Sequence, residues 1–252
     1  MELSGVDKGG GQALLLIHGW CGDNAHFAPQ VEPFAPRHRV LLPDLPWHGT
    51  GLHEGEISIG SFAAALADGL DRKRIDRAFV VGHSMGGMVA VKLASIRPDL
   101  AAGVIVLDSA FAMRPERLSG LQSLVPRLSG LDRITAMEGL AASLFEPSDD
   151  PALRGRVADQ MVYSAERLQA DGLQTMVDFI VGEGDELFSR LEQPTATILA
   201  TNPSSDPERL RTLNRRAYLA QVLAAGHYVQ LFAPAQVNAM IADFIELAPD
   251  AV

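Results

Sequence analysis

The chain has 252 residues, 47 % of them hydrophobic, and a formal charge of −10. That length and apolar share suit one large domain, or a core carrying an inserted second piece. The acidity argues against nucleic acid and anionic membrane as partners, since both need basic patches, and reads most simply as a soluble surface. Cys21 is the single cysteine, so no disulfide forms within the chain, which fits a reducing, cytoplasmic setting. The opening residues, Met1-Glu2-Leu3-Ser4-Gly5, lack a basic stretch followed by an apolar one, so no signal peptide is expected. No apolar run approaches the ~20 residues that span a bilayer. No internal repeat or low-complexity tract stands out.

Residues 13–17 form a short apolar run of the buried-strand kind, closed by His18-Gly19. Val40-Leu41-Leu42 is a second, stopped by Pro43 and Asp44. Residues 59–74 read as a helix, with Phe62, Leu66, Leu70 and Ile75 roughly on one face. A strand at 78–81, a helix ending near Arg97-Pro98 and a strand at 104–107 follow. This alternation predicts an α/β fold: a mostly parallel sheet with helices on both faces. From Met113 to Arg190 the pattern changes to helical segments broken by Pro115, Gly120, Pro126, Gly130, Gly139, Pro147 and Pro151, with no convincing strand. A strand at 195–200, a helix near 208–216, a strand near 218–223 and a final helix near 236–247 complete the chain. The expected organisation is a core over 1–111 and 192–252, with an all-helical cap over 112–191 lying across the carboxyl edge of the sheet, where open α/β sheets bind ligands.

Gly82-His83-Ser84-Met85-Gly86 has the form Gly-x-Ser-x-Gly, with a predicted strand before it and a helix after it. A turn of that kind forces the serine into strained geometry and holds its hydroxyl over the edge of the sheet. Ser84 is a weak nucleophile without a base. His227, in Gly226-His227-Tyr228, follows the last predicted strand and returns to the same edge. His18 is expected to serve the neighbouring loop, His83 to point away from Ser84, and His48 to be structural. His26, His38 and His53 carry no chemical signal and are expected on the surface or in loops. The histidines show no metal-ligand spacing, so no metal is expected. Met85 N–H and Trp20 N–H, the latter in His18-Gly19-Trp20-Cys21, are candidate donors to an oxyanion. The Trp20 side chain and Cys21 are candidate substrate contacts, with Cys21 a small wall or core residue rather than a nucleophile.

The residues leave the acid open. Asp108 ends the strand after the elbow helix, and Asp206 follows the 195–200 strand. Asp206, with Pro207 next, also reads as a helix cap followed by proline at the first helical position. Asp108 could equally satisfy loop N–H groups. Asp44 ends an earlier strand and is the weaker candidate.

Taken together, His18-Gly19-Trp20, the segment Pro43-Asp44-Leu45-Pro46-Trp47-His48-Gly49, Gly82-His83-Ser84-Met85-Gly86-Gly87 and Gly226-His227 resemble the α/β-hydrolase fold family over nearly the whole chain. The resemblance implies a serine nucleophile at Ser84, a base at His227 and no cofactor. Two departures stand out. Residues 1–11 are short and glycine-rich for the extra strand pair with which most members begin, and Asp206 falls one position late for the usual acid turn. His18-Gly19-Trp20-Cys21 and Asn202-Pro203 are similar to a subgroup that includes cofactor-independent ring-cleaving dioxygenases, which carry the acid at the position of Asp108. On that resemblance Asp108 is favoured over Asp206.

The expected activity is hydrolysis of a carboxylic ester, thioester or lactone of a small to medium, partly apolar molecule. Oxygenolytic ring cleavage and hydrolysis of a carbon–carbon bond are the alternatives on the same fold. A small-molecule substrate is the expected partner, and oligomeric state is not legible.

Overall fold

The computed structural model describes residues 4–51 and 53–248. Seven strands form one sheet: β1 (Gly5–Gly9), β2 (Gln12–Ile17), β3 (His38–Pro43), β4 (Ala78–His83), β5 (Ala101–Leu107), β6 (Thr195–Leu199) and β7 (Tyr218–Gln221). Their spatial order is β1-β3-β2-β4-β5-β6-β7, with β1 antiparallel to β3 and the remaining pairs parallel. The central strands are continuous apolar runs because both faces of the sheet are covered. Side chains alternate between the faces: Leu15 and Ile17 join one core with Val80 and Val106, while Leu14 and Leu16 join the other with Val81 and Ile105.

Helices α1 (Ala28–Phe34), α2 (Ile59–Arg72) and α3 (Met85–Ile96) connect the first strands. The segment between β5 and β6 holds α4 (Pro115–Leu124), α5 (Arg133–Ser143), α6 (Pro151–Val162), α7 (Glu166–Val181) and α8 (Gly184–Ser189). Then come α9 (Pro207–Leu213), α10 (Val229–Phe232) and α11 (Pro234–Leu247). Helix α2 starts at a reciprocal cap: Ser61 N–H donates to Ser58 Oγ and Ser58 N–H to Ser61 Oγ. Its Phe62, Leu66 and Leu70 are buried on the same side of the sheet as α3. Helices α1, α10 and α11 cover the opposite side through Val31, Phe34, Val229, Val237, Ile241 and Phe244.

Among the described residues the start of the chain holds one strand before β2 and not a pair, in keeping with its short, glycine-rich sequence. Residues 5–9 form that edge strand, and their glycines serve it. Gly5 adopts φ +115°, and a Cβ there would lie 2.0 Å from the Leu42 carbonyl oxygen. Only glycine lets the edge strand lie that close to β3. The strand is also pinned by charge, since Asp7 takes a two-pronged bond from Arg39 (2.9 and 2.8 Å) and one from Lys73 (2.9 Å). Of residues 1–11, Met1 to Leu3 lie outside the described residues.

The segment from 113 to 190 is helical, with its apolar residues in the core that also covers α2 and α3: Leu124, Met137, Met161 and Leu173 are all buried there. A short zipper joins its start to the loop after β6. Asp206 N–H donates to Ala112 C=O, Arg114 N–H to Ser204 C=O and Ser205 Oγ–H to Ser109 C=O.

Candidate active site

The elbow forms because a parallel strand must turn at once into a helix. Ser84 sits between β4 and α3 with φ 54° and ψ −119°, a strained conformation for a residue with a side chain. The turn is possible only with bare neighbours. A Cβ on Gly82 would lie 2.1 Å from Gly86 C=O, and one on Gly86 would lie 2.2 Å from Ile17 C=O. Ser84 C=O is held by Gly87 N–H (3.0 Å) and Ser109 Oγ–H (2.8 Å), while its side chain makes no cap bond to the helix. Met85 is the first residue of α3, so its N–H has no intrahelical acceptor.

Two further strand ends meet this turn. Asp108, just past β5, is buried with φ +42°. Its Oδ1 accepts from Ala200 N–H at 3.0 Å, and its Oδ2 accepts from His227 Nδ1–H at 2.7 Å. With Nδ1 donating to a carboxylate, the neutral imidazole keeps its lone pair on Nε2. Ser84, Asp108 and His227 line the same cavity of about 540 Å³. Its other walls come from Trp20 and from α4, α5 and α7, including Leu121, Leu124, Leu140, Leu173 and Met176. Asp206 is elsewhere: it caps α9, accepting from Glu208 N–H (2.9 Å) and Arg209 N–H (3.2 Å), with Pro207 at the first helical position.

Trp20 is both wall and anchor. Its indole N–H donates to Leu168 C=O in α7 at 2.9 Å, tying the loop after β2 to the helical segment. Cys21 does not line the Ser84 cavity. It lines a second cavity of about 300 Å³ with Trp47, His48 and Leu168. Burial pushes its thiol up to about 12, so it stays a neutral, unreactive wall. Asp44 holds the loops together: burial alone would raise its pKa, but four hydrogen bonds from Asn24 and Thr50 outweigh that and hold it below the usual carboxylate range.

The remaining histidines are mostly core. His18 Nε2 accepts from Leu45 N–H (3.1 Å) and its Nδ1–H donates to Gly19 C=O (2.8 Å), so the ring is neutral and bound to the loop. His48 donates to Pro46 C=O at 2.9 Å and stacks edge-on against Phe62. His83 donates from Nε2 to His227 C=O at 2.9 Å, supporting the main chain of that residue. His26 departs from expectation. It is buried under Tyr228 and α6, donating from Nε2 to Gln160 Oε1 at 3.0 Å. His38 is half-buried and bonds Gln12 C=O, and His53 is exposed beside Trp47.

Burial lowers His18 to about 4 and His48 to about 3, and lowers His83 well below 6.5, with the neighbouring His227 adding to the last shift. Unfolding frees these rings to take protons at their ordinary value. Stability is therefore complete above pH 6.5 and is lost as pH falls from there towards the folded values. From about pH 7.5 to about pH 5.5 each ring is expected to cost about 1 kcal/mol. Urea unfolding at the two pH values measures this, and an unchanged midpoint contradicts it.

The helical segment reaches the site through one contact that no spacing in the sequence announced. The turn between α5 and α6 grips the loop carrying His227: His227 N–H donates to Leu144 C=O at 2.8 Å, Gly226 N–H to the buried Asp149 carboxylate at 3.1 Å, and Ser148 Oγ–H to Ala224 C=O at 3.0 Å. Asp149 also accepts from Glu146 N–H, which shapes its own turn. Among the described residues no three His, Cys, Asp or Glu side chains are grouped as metal ligands, and no helix is long and apolar enough to cross a membrane.

Comparison with known proteins gives the same frame. The chain is 30 % identical over 256 residues to the dihydrolipoyllysine-residue acetyltransferase component of the acetoin cleaving system of Pseudomonas putida, covering 94 % of this chain and 64 % of that protein. It is 29 % identical over 150 residues to lipase LipV of Mycobacterium tuberculosis, covering 59 % of this chain and 57 % of that one. The chain thus spans less than two-thirds of the length of either relative. A thermophilic esterase from Thermogutta terrifontis shares its fold with a TM-score of 0.83 at 22 % identity, over 96 % of this chain and 92 % of the esterase. Residues 14–240, from within β2 to within α11, match the alpha/beta hydrolase family, and the chain belongs to that family.

Proposed function

We propose that this protein is a serine hydrolase of carboxylic esters, thioesters or lactones, with Ser84 as nucleophile, His227 as base and Asp108 as the acid that orients it. The observation that carries the reading is the 2.7 Å bond from His227 Nδ1–H to Asp108 on the wall of the cavity that contains the strained Ser84 turn. Residues 112–191 act as a cap that closes this cavity and shapes it for a small to medium, partly apolar substrate.

In the first half-reaction His227 Nε2 takes the Ser84 hydroxyl proton as Oγ attacks the acyl carbon. The carbonyl electron pair moves onto its oxygen, where Trp20 N–H and Met85 N–H stabilise the charge. Each such donor is worth ~3–4 kcal/mol in the transition state. The tetrahedral intermediate collapses, and the leaving alkoxide or thiolate takes the proton from His227. Water then gives a proton to His227 and attacks the acyl-enzyme, and Ser84 Oγ leaves with that proton as the carboxylic acid is released. Asp108 holds the imidazole in the tautomer this requires and balances the imidazolium.

A panel of p-nitrophenyl esters of graded acyl length, run alongside a fluorophosphonate probe, tests the reading. Ester turnover with a single phosphonate on Ser84, located by peptide mass spectrometry, is the expected outcome. A folded protein that turns over none of the esters and takes no probe overturns it.

A further inference from the structure

The cap wall of the Ser84 cavity carries charge as well as apolar surface. Glu116 and Arg117, in the first turn of α4, and Arg127, just after that helix, all line it. One of the three is paired, and one is exposed and favourably placed. Glu116 is an acid in the first turn of a helix, where exposed N–H groups favour negative charge. Arg127 is answered by Asp132 at 2.8 Å. Arg117 has no such support. It is a cation at the end of the helix whose field opposes it, it is half-buried, and among the described residues its guanidinium has no carboxylate or hydrogen-bond acceptor. Glu116 does not serve it, because adjacent helical residues point about 100° apart.

A half-buried guanidinium without an anion gains nothing for the fold. Its bidentate donor face is suited to a carboxylate, and here it faces the same space as Ser84. The cavity they share is also lined by the apolar side chains of Leu121, Leu124 and Met176. We propose that Arg117 is a specificity-determining residue that binds a carboxylate carried by the substrate, so that the substrate class is an anionic acyl compound. Such a compound has an ester, thioester or lactone carbonyl at one end, an apolar spacer and a free carboxylate at the other. The proposal rests on the serine-hydrolase reading of Ser84.

The test compares two esters that differ only in the terminal group: p-nitrophenyl hexanoate and the mono-p-nitrophenyl ester of adipic acid. The readout is the ratio of their kcat/KM values, adipate over hexanoate. The wild-type ratio is expected to exceed one. In Arg117→Gln it is expected to fall about 10- to 100-fold, chiefly through KM for the adipate ester, the size of a charge-assisted hydrogen bond lost. Arg117→Lys is expected to keep part of the ratio, since the charge remains but the fork is lost. A variant that merely misfolds lowers both rates and leaves the ratio alone, so a ratio within twofold of wild type overturns the proposal. A wild-type protein that cleaves the hexanoate ester with no preference for adipate overturns this proposal alone. One that cleaves neither ester and takes no phosphonate on Ser84 overturns the hydrolase reading and this proposal together.

Discussion

Replacing Ser84 with alanine is expected to lower ester turnover by about 10⁴- to 10⁶-fold, the loss seen when the nucleophile of a serine triad is removed. The folded state should hardly notice. The Ser84 side chain makes no cap bond to α3, and its main-chain partners, Gly87 and Ser109, do not depend on the hydroxyl. A change within about 0.5 kcal/mol of wild-type stability is the expected companion result. The pairing of a catalytic collapse with an intact fold separates nucleophilic catalysis from damage to the strained turn. Parallel measurement of oxygen uptake with a hydroxyquinolone separates the chemistries. Uptake that persists undiminished in Ser84→Ala would mean that His227 deprotonates a substrate directly and that the hydrolytic mechanism is wrong.

The second large effect distinguishes the two aspartates. Asp108→Asn is expected to lower kcat by about 10⁴-fold. The reason is directional. Ala200 N–H donates to Oδ1, so the new amide keeps its oxygen there and turns its NH₂ towards His227. A donor then faces the Nδ1 that donated to Asp108, the proton moves to Nε2, and the base loses the lone pair that should face Ser84. Asp206→Asn should retain turnover within a few-fold, because asparagine caps a helix about as well as aspartate. Asp206→Ala should cost about 1 kcal/mol of stability and little activity. Equal kinetic losses in Asp108→Asn and Asp206→Asn would refute the assignment.

Some of this arrangement could be read from the chain before its coordinates. A central strand buried on both faces announces itself as a run of apolar residues, and a Gly-x-Ser-x-Gly between such a run and a helical pattern fits little besides a strand-to-helix elbow. The residues that escaped notice are held by partners distant in sequence. Edge strand β1, Gly-Val-Asp-Lys-Gly, has a charged pair and terminal glycines that look like a loop until β3 lies beside it. Helix α1 contains Pro33 and is only seven residues long, too short for a periodic signal. His26 reads as a loop residue because its burial comes from Tyr228 and α6, more than a hundred positions later. Asp108 and Asp206 both follow strands at the same rim; the local sign was Asp206-Pro207, which reads as a helix cap and does cap α9, whereas the partner of Asp108 lies 119 positions away at His227. Cys21 follows Trp20 directly, yet its φ of 56° turns it into a different cavity.

The grip of the α5–α6 turn on residues 224–227 has a consequence for how the enzyme can breathe. These bonds involve residues 144–149 and not α4, so movement of α4 alone leaves them in place. A rigid-body lift of the whole helical segment is another matter, because it must either break the bonds from His227, Gly226 and Ser148 or drag the imidazole off Asp108. If Ser84, His227 and Asp108 act as proposed, an opening that drags the loop along leaves the serine without its proton acceptor, whereas one that breaks these bonds leaves the imidazole on Asp108. Under the proposed mechanism, an opening that keeps the grip would therefore disarm the very site it exposes to solvent.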